Sequence, residues 1–280
     1  KMKIIRTAIR LIGLSVLALA GLWSPDRIQA QQPARRQPKL FIIGDSTVNN
    51  STKGLQGWGT PIAEFFDTSR INVVNRARGG RSSRTFLTEG LWQQVLDQLQ
   101  PGDFVLMQFG HNDGGAINDA SRARGSIRGT GEETETIYNL LTRQHEFVHS
   151  FGWYMRRYIA DTKYKGAVPI VLSLVARNIF KDGKVERGSN SYGKWARESA
   201  EAGEAFFIDL NELTARRYEQ VGLEVTKSRY FLEDHTHTTP AGARLNAVLV
   251  IKGIKALKDC PLAAFISANY SDDLTNTTVR

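Results

Sequence analysis

Cysteine is almost missing from this chain. Cys260 is the only one in 280 residues, so no intrachain disulfide can form and stability must come from an ordinary apolar core. Cys260 also lies far from residues 1–30, where a lipid-anchored form would need its cysteine. Beyond those thirty residues no apolar run is long enough to cross a bilayer, which predicts no stable membrane anchor. No helical stretch carries a basic stripe, and no zinc-finger or RNA-binding signature occurs, so nucleic acid is not an expected partner. Internal repeats are absent as well. The elbow motif Gly-x-Ser-x-Gly is also missing, which disfavours the hydrolases built around it.

The first thirty residues read as a leader. Lys1, Lys3, Arg6 and Arg10 form a basic segment, Leu11 to Trp23 an apolar one, and Ile28-Gln29-Ala30 an acceptable cleavage site. The expectation is a signal peptide over 1–30 and a secreted or periplasmic protein; an uncleaved anchor is the alternative. Of 37 Lys+Arg and 28 Asp+Glu, residues 1–30 hold five and one, leaving 32 against 27 and a net charge of +5. That modest excess suits an anionic partner, although a spread of charge over a whole domain is commonly a solvated surface.

After a Pro/Gln/Arg linker over 31–38, short β-branched or aromatic runs alternate with longer helical patterns. Strands are expected at Leu40–Ile43, Ile71–Asn75, Phe104–Phe109, Pro169–Val175 and Phe206–Leu210. Helical spacing joins Leu87, Leu91, Val95 and Leu99, and again Phe147, Phe151, Tyr154 and Tyr158. Thr239 as N-cap and Pro240 at the first helical position open a last helix. Such alternation predicts an α/β protein with a parallel sheet covered on both faces, in one domain over 39–267. Gly114 to Glu135 reads as a long surface loop, and 268–280 as a polar tail.

Four motifs fall on this scaffold at strand ends or on loops of the same rim. Gly44-Asp45-Ser46-Thr47 follows the first strand, Gly79-Gly80-Arg81-Ser82 the second and Gly110-His111-Asn112-Asp113 the third; Asp234-His235-Thr236-His237 precedes the last helix. The carboxyl ends of strands are where open α/β sheets bind ligands. This ordered set resembles the four blocks of the SGNH (GDSL-type) hydrolase superfamily. With Gly57-Trp58-Gly59 it is similar, more narrowly, to the rhamnogalacturonan acetylesterases, a carbohydrate esterase family. The resemblance implies a flavodoxin-like three-layer α/β/α sandwich with a five-stranded parallel sheet.

A serine hydroxyl attacks only when an imidazole accepts its proton, and the imidazole needs an acid to fix its tautomer. Ser46 is the expected nucleophile and Asp234 the orienting acid. His235 and His237 compete for the role of base; the resemblance and the Asp-x-x-His spacing favour His237. The oxyanion needs donors, which the N–H groups of Ser46 and Gly80 and the amide of Asn112 would supply. No organic cofactor and no metal are expected.

Three features admit rival readings. His145-Glu146-Phe147-Val148-His149 is a literal zinc-protease motif, which on a helix would put both imidazoles on one face. Met155 stands where a third ligand would be needed, so a catalytic zinc is not expected. Trp58 is either a sugar-stacking platform or core. Arg81, Arg84 and Arg177 are either carboxylate grips or surface ion pairs. The reading that joins them is an exported serine esterase removing O-acetyl groups from an anionic, pectic polysaccharide. The alternatives are an SGNH esterase for other acetylated glycans or acyl lipids, and a non-catalytic glycan-binding module.

Overall fold

The computed structural model describes residues 36–188 and 190–270, so the leader and most of the linker lie outside the described residues, as do Ser189 and 271–280 of the tail. In chain order the strands are β1 (Lys39–Gly44), β2 (Asn72–Asn75), β3 (Phe104–Gln108), β4 (Thr134–Asn139), β5 (Gln144–His149), β6 (Val168–Leu172), β7 (Phe180–Lys181), β8 (Lys184–Val185) and β9 (Phe206–Ile208). The α-helices are α1 (Ser83–Thr88), α2 (Leu91–Leu96), α3 (Phe151–Tyr164), α4 (Tyr192–Ala202), α5 (Leu210–Val221), the single turn α6 (Leu223–Val225) and α7 (Pro240–Ala256).

Five strands form one all-parallel sheet in the order β2-β1-β3-β6-β9, the doubly wound flavodoxin arrangement. The residues of β1 explain its central place. Leu40, Phe41, Ile42 and Ile43 are all fully buried, and with a period of two they serve both faces. Leu40 and Ile42 pack toward a core shared with α5 and α7, whereas Phe41 and Ile43 pack toward one shared with α1 to α4. Each such side chain contributes about 1.5–3 kcal/mol on burial. The five strands occur where the sequence places them, each within a few residues. α7 starts as expected: the Thr239 side chain accepts from the Gly242 N–H at 3.1 Å, and Pro240 takes the first helical position.

Two helical expectations are corrected. The stretch from Leu87 to Leu99 is two short helices rather than one, because Gly90 sits between them with φ of 73°. The second correction concerns the zinc-protease motif. Residues 144–149 form β5, which pairs antiparallel with β4, and α3 begins only at Phe151, with Ser150 as N-cap accepting from Trp153 N–H. Strand alternation decides the register here: Val148 is fully buried while Phe147 is 66% exposed. On a strand, His145 and His149 share a face but stand roughly 13 Å apart, too far to grip one ion. Among the described residues no group of three or more His, Cys, Asp or Glu could hold a metal.

Glu146 points to the other face of that hairpin, and there it meets Arg84. The guanidinium is fully buried. Its Nε and Nη2 donate to the two Glu146 carboxylate oxygens at 2.7 Å each, and Nη1 donates to the carbonyls of Ile117 and Gly125 at 2.7 and 2.8 Å. Arg84 therefore does not face substrate; it ties α1 to the hairpin and to the long loop that precedes it. Burial pushes the Glu146 carboxyl up, but hydrogen bonds from Arg84 and Asn139 outweigh it and hold the pKa below its ordinary value. Trp58 is corrected likewise. It is fully buried and donates its Nε1–H to Gln108 Oε1 at 2.8 Å, so no sugar can stack on it.

At the chain's other end Tyr270 packs edge-on against Phe65, their ring centroids 5.5 Å apart, so packing continues past residue 267 to the last described residue. Among the described residues no helix is long and apolar enough to cross a membrane.

Removing one partner of a buried, fully hydrogen-bonded ion pair leaves the other charge uncompensated, at a cost of about 3–5 kcal/mol. Arg84→Ala is therefore expected to lower the unfolding free energy by about that amount. Denaturant titration checks this. A change under about 1 kcal/mol, the size typical of a surface pair, would contradict the assignment.

Candidate active site

At the end of β1 the chain turns abruptly. The N–H groups of Val48 and Asn49 both donate to the Asp45 carbonyl, at 3.1 and 3.0 Å, making a single helical turn with Ser46 near its start. Neighbouring loops lock this turn. Arg78 N–H donates to the Gly44 carbonyl at 3.0 Å, and Asn49 Nδ2 to the Ala77 carbonyl at 2.8 Å. Gly79 lies against Ser46, since a Cβ there would stand 3.6 Å from the serine Cβ. Gly80 adopts φ of 79°, a left-handed conformation that a side chain would strain.

Ser46 Oγ lies 2.8 Å from His237 Nε2, and His237 Nδ1 lies 2.7 Å from Asp234 Oδ2. The other Asp234 oxygen accepts the backbone N–H groups of Thr236 and His237 at 2.6 Å each, so one short loop aims both acid and imidazole. An ionised carboxylate only accepts, which assigns the ring proton to Nδ1 and leaves the Nε2 lone pair facing the serine. Burial raises the Asp234 pKa, but the hydrogen bonds from His237 and Thr236 prevail and hold it below the ordinary value. His235 is exposed; its backbone carbonyl accepts from Asn178 N–H at 2.8 Å, and it does not line the cleft around Ser46.

Asn112 is 7% exposed, and its Nδ2 donates to the Arg81 carbonyl at 2.8 Å, which fixes the amide. Ser46, Gly80, Asn112 and His237 border one cleft of about 830 Å³. Of its lining residues only Leu55 and Leu141 are large and apolar, while Arg78, Arg81, Arg122 and Arg124 supply four guanidinium groups against the single carboxylate of Glu89. Arg81 is half-engaged: it pairs with Glu89 at 2.8 Å and donates to the Gly79 carbonyl at 3.2 Å. Arg177 is elsewhere, in a neighbouring cavity that shares Arg124 with this cleft.

Several site residues were not anticipated. Arg122 and Arg124 come from the long 114–135 loop, whose sequence signals only a turn-rich connection. Arg124 Nη1 donates to the Gly80 carbonyl at 3.1 Å, so the loop folds back over the second block. Behind the serine, Asp45 Oδ1 accepts from the Thr47 N–H and hydroxyl at 2.8 and 2.7 Å, and Gln108 Nε2 donates to Thr47 Oγ1 at 2.7 Å. Asp113 accepts from Ser83 N–H at 3.1 Å, from the Ser83 hydroxyl, and from the Ser126 hydroxyl at 3.1 Å. Burial pushes both Asp45 and Asp113 up to about 6, against the pull of these hydrogen bonds.

A parallel sheet of this order with a Ser–His–Asp chain on its carboxyl rim defines the class: a hydrolase of the flavodoxin-like α/β type. The chain belongs to the GDSL-like lipase/acylhydrolase family, whose model matches residues 42–245, and is a carboxylic ester hydrolase. It is 32% identical over 223 residues to the rhamnogalacturonan acetylesterase of Emericella nidulans, covering 79% of this chain and 86% of that protein. Over 224 residues it is 32% identical to the probable rhamnogalacturonan acetylesterase YesY of Bacillus subtilis, covering 78% and 93%. The crystal structure of YxiM from Bacillus subtilis superposes with a TM-score of 0.63 at 26% identity, over 79% of this chain and 56% of that one, so this chain spans a little over half of YxiM. The acetylxylan esterase Axe2 of Geobacillus stearothermophilus shares the fold, with a TM-score of 0.54 at 16% identity, over 79% and 95%.

The two buried carboxylates set an unusual pH response. A raised folded pKa means the protonated form is favoured on folding, so this contribution is complete below the unfolded pKa of 3.8 and is lost as pH rises through about 6. The lowered pKa of Asp234 works in the opposite direction below the ordinary carboxylate range, and His111, which burial pushes down from 6.5 to about 3, opposes the two carboxylates between those values. The carboxylate contribution is therefore read as a difference: the unfolding temperature of Asp113→Asn protein minus that of the parent should rise between about pH 5 and about pH 7.5, measured by calorimetry. A difference that stays flat or falls across that interval would contradict it.

Proposed function

We propose that Ser46 is the nucleophile of an O-acetyl esterase acting on an acetylated pectic polysaccharide, with His237 as base and Asp234 as its orienting acid. One observation carries the reading: the hydrogen-bonded chain from Asp234 through His237 to Ser46 opens on a polar, guanidinium-lined cleft. In the acylation step Ser46 Oγ attacks the acetyl carbonyl while its proton passes to His237 Nε2. The N–H groups of Ser46 and Gly80 and the second amide hydrogen of Asn112 stabilise the oxyanion. Collapse of the tetrahedral intermediate breaks the bond to the sugar oxygen, which leaves with the proton from His237. Water then gives a proton to His237 and its oxygen attacks the acetyl-serine; acetate departs and the proton returns to Ser46.

Substrate class is supported by three things together. Two relatives at 32% identity carry the name rhamnogalacturonan acetylesterase. The cleft lining is cationic, which suits an anionic backbone. Only Leu55 and Leu141 among its lining side chains are large and apolar, which suits an acetyl group better than a long acyl chain. The basic and apolar segments within residues 1–30 support export, to a compartment where such polymers occur.

Acetate release from acetylated rhamnogalacturonan, homogalacturonan, xylan and aryl acetates tests the reading. Rhamnogalacturonan should be preferred, and salt should raise KM for it far more than for xylan, because screening weakens exposed charge contacts. Ser46→Ala and His237→Ala should each cost several orders of magnitude in kcat, and Asn112→Ala about 10²–10³-fold. A salt-insensitive preference for xylan or for long acyl chains would overturn the pectic reading.

A further inference from the structure

Beside the catalytic cleft lies a second cavity of about 470 Å³, in the size range of small-molecule sites. It opens at the carboxyl ends of β3 and β6, and Arg124 lines both spaces. Its polar groups are unevenly satisfied. Arg187 is spent on Glu212 and Glu219. Arg177, by contrast, has a buried Nε without a hydrogen-bond partner, and it pairs with no carboxylate among the described residues. Tyr192, 8% exposed, also lines the cavity, and its buried hydroxyl has no partner either. Gly114 stands beside that hydroxyl; a Cβ there would be 3.5 Å from it, so the glycine keeps the approach open. Arg128 packs over Trp195 with 5.6 Å from Cζ to the ring and lies close enough to Tyr192 to act on its hydroxyl electrostatically.

His111 connects this cavity to the chemistry. It feels the charge of both Arg177 and His237, and its buried ring nitrogens meet no side-chain partner. Burial first, then Arg177, pushes its pKa down to about 3 against the pull of the Val175 backbone, so it stays neutral at working pH. An unpaired guanidinium, a further exposed one and an unsatisfied phenol hydroxyl adjoin one space, against one lining carboxylate, Glu186. Each of them complements a planar, doubly accepting anion, and an anion there would relieve the two orphaned donors.

We propose that this cavity is a carboxylate subsite: Arg177 and Arg128, with the Tyr192 hydroxyl, receive the carboxylate of a uronic acid residue of the acetylated polymer. This rests on the pectic reading above and assigns that reading a second contact point, beside the cleft at Ser46. The subsite orients the polymer so that an acetyl group enters the cleft at Ser46. Specificity for acidic glycans then comes in part from a place that does no chemistry.

The test separates binding from turnover. Ser46→Ala protein is titrated calorimetrically with deacetylated rhamnogalacturonan oligosaccharides, in the free-acid form and after reduction of their carboxyl groups to neutral alcohols. The acid form should bind about ten- to hundredfold more tightly, the worth of hydrogen bonds to a charged group. Adding Arg177→Gln should lower that ratio about tenfold, the remaining preference being due to the guanidinium groups of the cleft at Ser46, and Tyr192→Phe, which removes only the hydroxyl, should lower it several-fold. Equal binding of the two forms, no binding of either, or an unchanged ratio in Arg177→Gln protein that melts at the parent temperature would each overturn the subsite. Turnover by the wild-type enzyme reports on the pectic reading separately. Faster acetate release from xylan with the acid-to-neutral binding ratio intact would reject that reading and keep the subsite; preference for rhamnogalacturonan with a ratio of one would do the reverse.

Discussion

The register of β1 between its two neighbours is the constraint on which the site depends. Pairing of Ile42 with Asn75 and of Gly44 with Gln108 brings three strands to one rim within a residue or two of each other. Whatever follows each strand is then forced into company: the turn at Ser46, the left-handed Gly80 and the amide of Asn112. A slip of one position would turn Phe41 and Ile43 toward the opposite core and displace the serine from both other loops. Because Leu40 to Ile43 are close-packed on both faces, such a slip would exchange side chains of different shape between the two cores and leave voids in one and overlaps in the other. The precision of the rim is inherited from packing well away from it.

That rim is expensive to build. Asp45 and Asp113 are carboxylates buried directly behind the serine and the asparagine, and burial raises the pKa of both. The charge of Asp45 also raises the pKa of Asp113. Their return is positional. Asp45 holds Thr47, Thr47 is held by Gln108, and Gln108 accepts from Trp58, a polar chain that fixes the turn from inside the core. Asp113 in turn holds the first residues of α1 through Ser83 and the long loop through Ser126. Small domains seldom keep such groups unless they specify one arrangement over its neighbours.

The sequence made the sheet legible because strand burial is a local, periodic property, and Leu40–Ile43 or Phe104–Phe109 announce it without help. The four blocks were legible because each follows a strand or precedes a helix, so their common rim could be inferred before any distance was known. Residues 144–149 were misread for an equally physical reason. Phe147, Phe151, Tyr154 and Tyr158 are spaced for a helix, but Phe147 is exposed on a strand and only the last three are buried on α3. Periodicity does not tell that Ser150 would cap a helix at that point. Trp58 and Arg84 were open between two readings because burial of a polar tip depends on distant partners, Gln108 and Glu146, which no local pattern reveals.

Arginine shows most plainly what local sequence leaves out. Arg84, Arg187 and Arg177 are alike as letters, and the fold gives them three different fates. Arg84 is buried and closed by four hydrogen bonds; Arg187 is clamped between two glutamates; Arg177 is left with a buried nitrogen unanswered. What separates them is the supply of carboxylates nearby, which is set by tertiary contacts. A single acidic neighbour would stabilise Arg177, and among the described residues the fold supplies none within ion-pair reach. Glu186 lines the same cavity yet stays out of ion-pair reach. A carboxylate in the proposed subsite would answer Arg177 from outside the chain, as Glu146 answers Arg84 and two glutamates answer Arg187 from within.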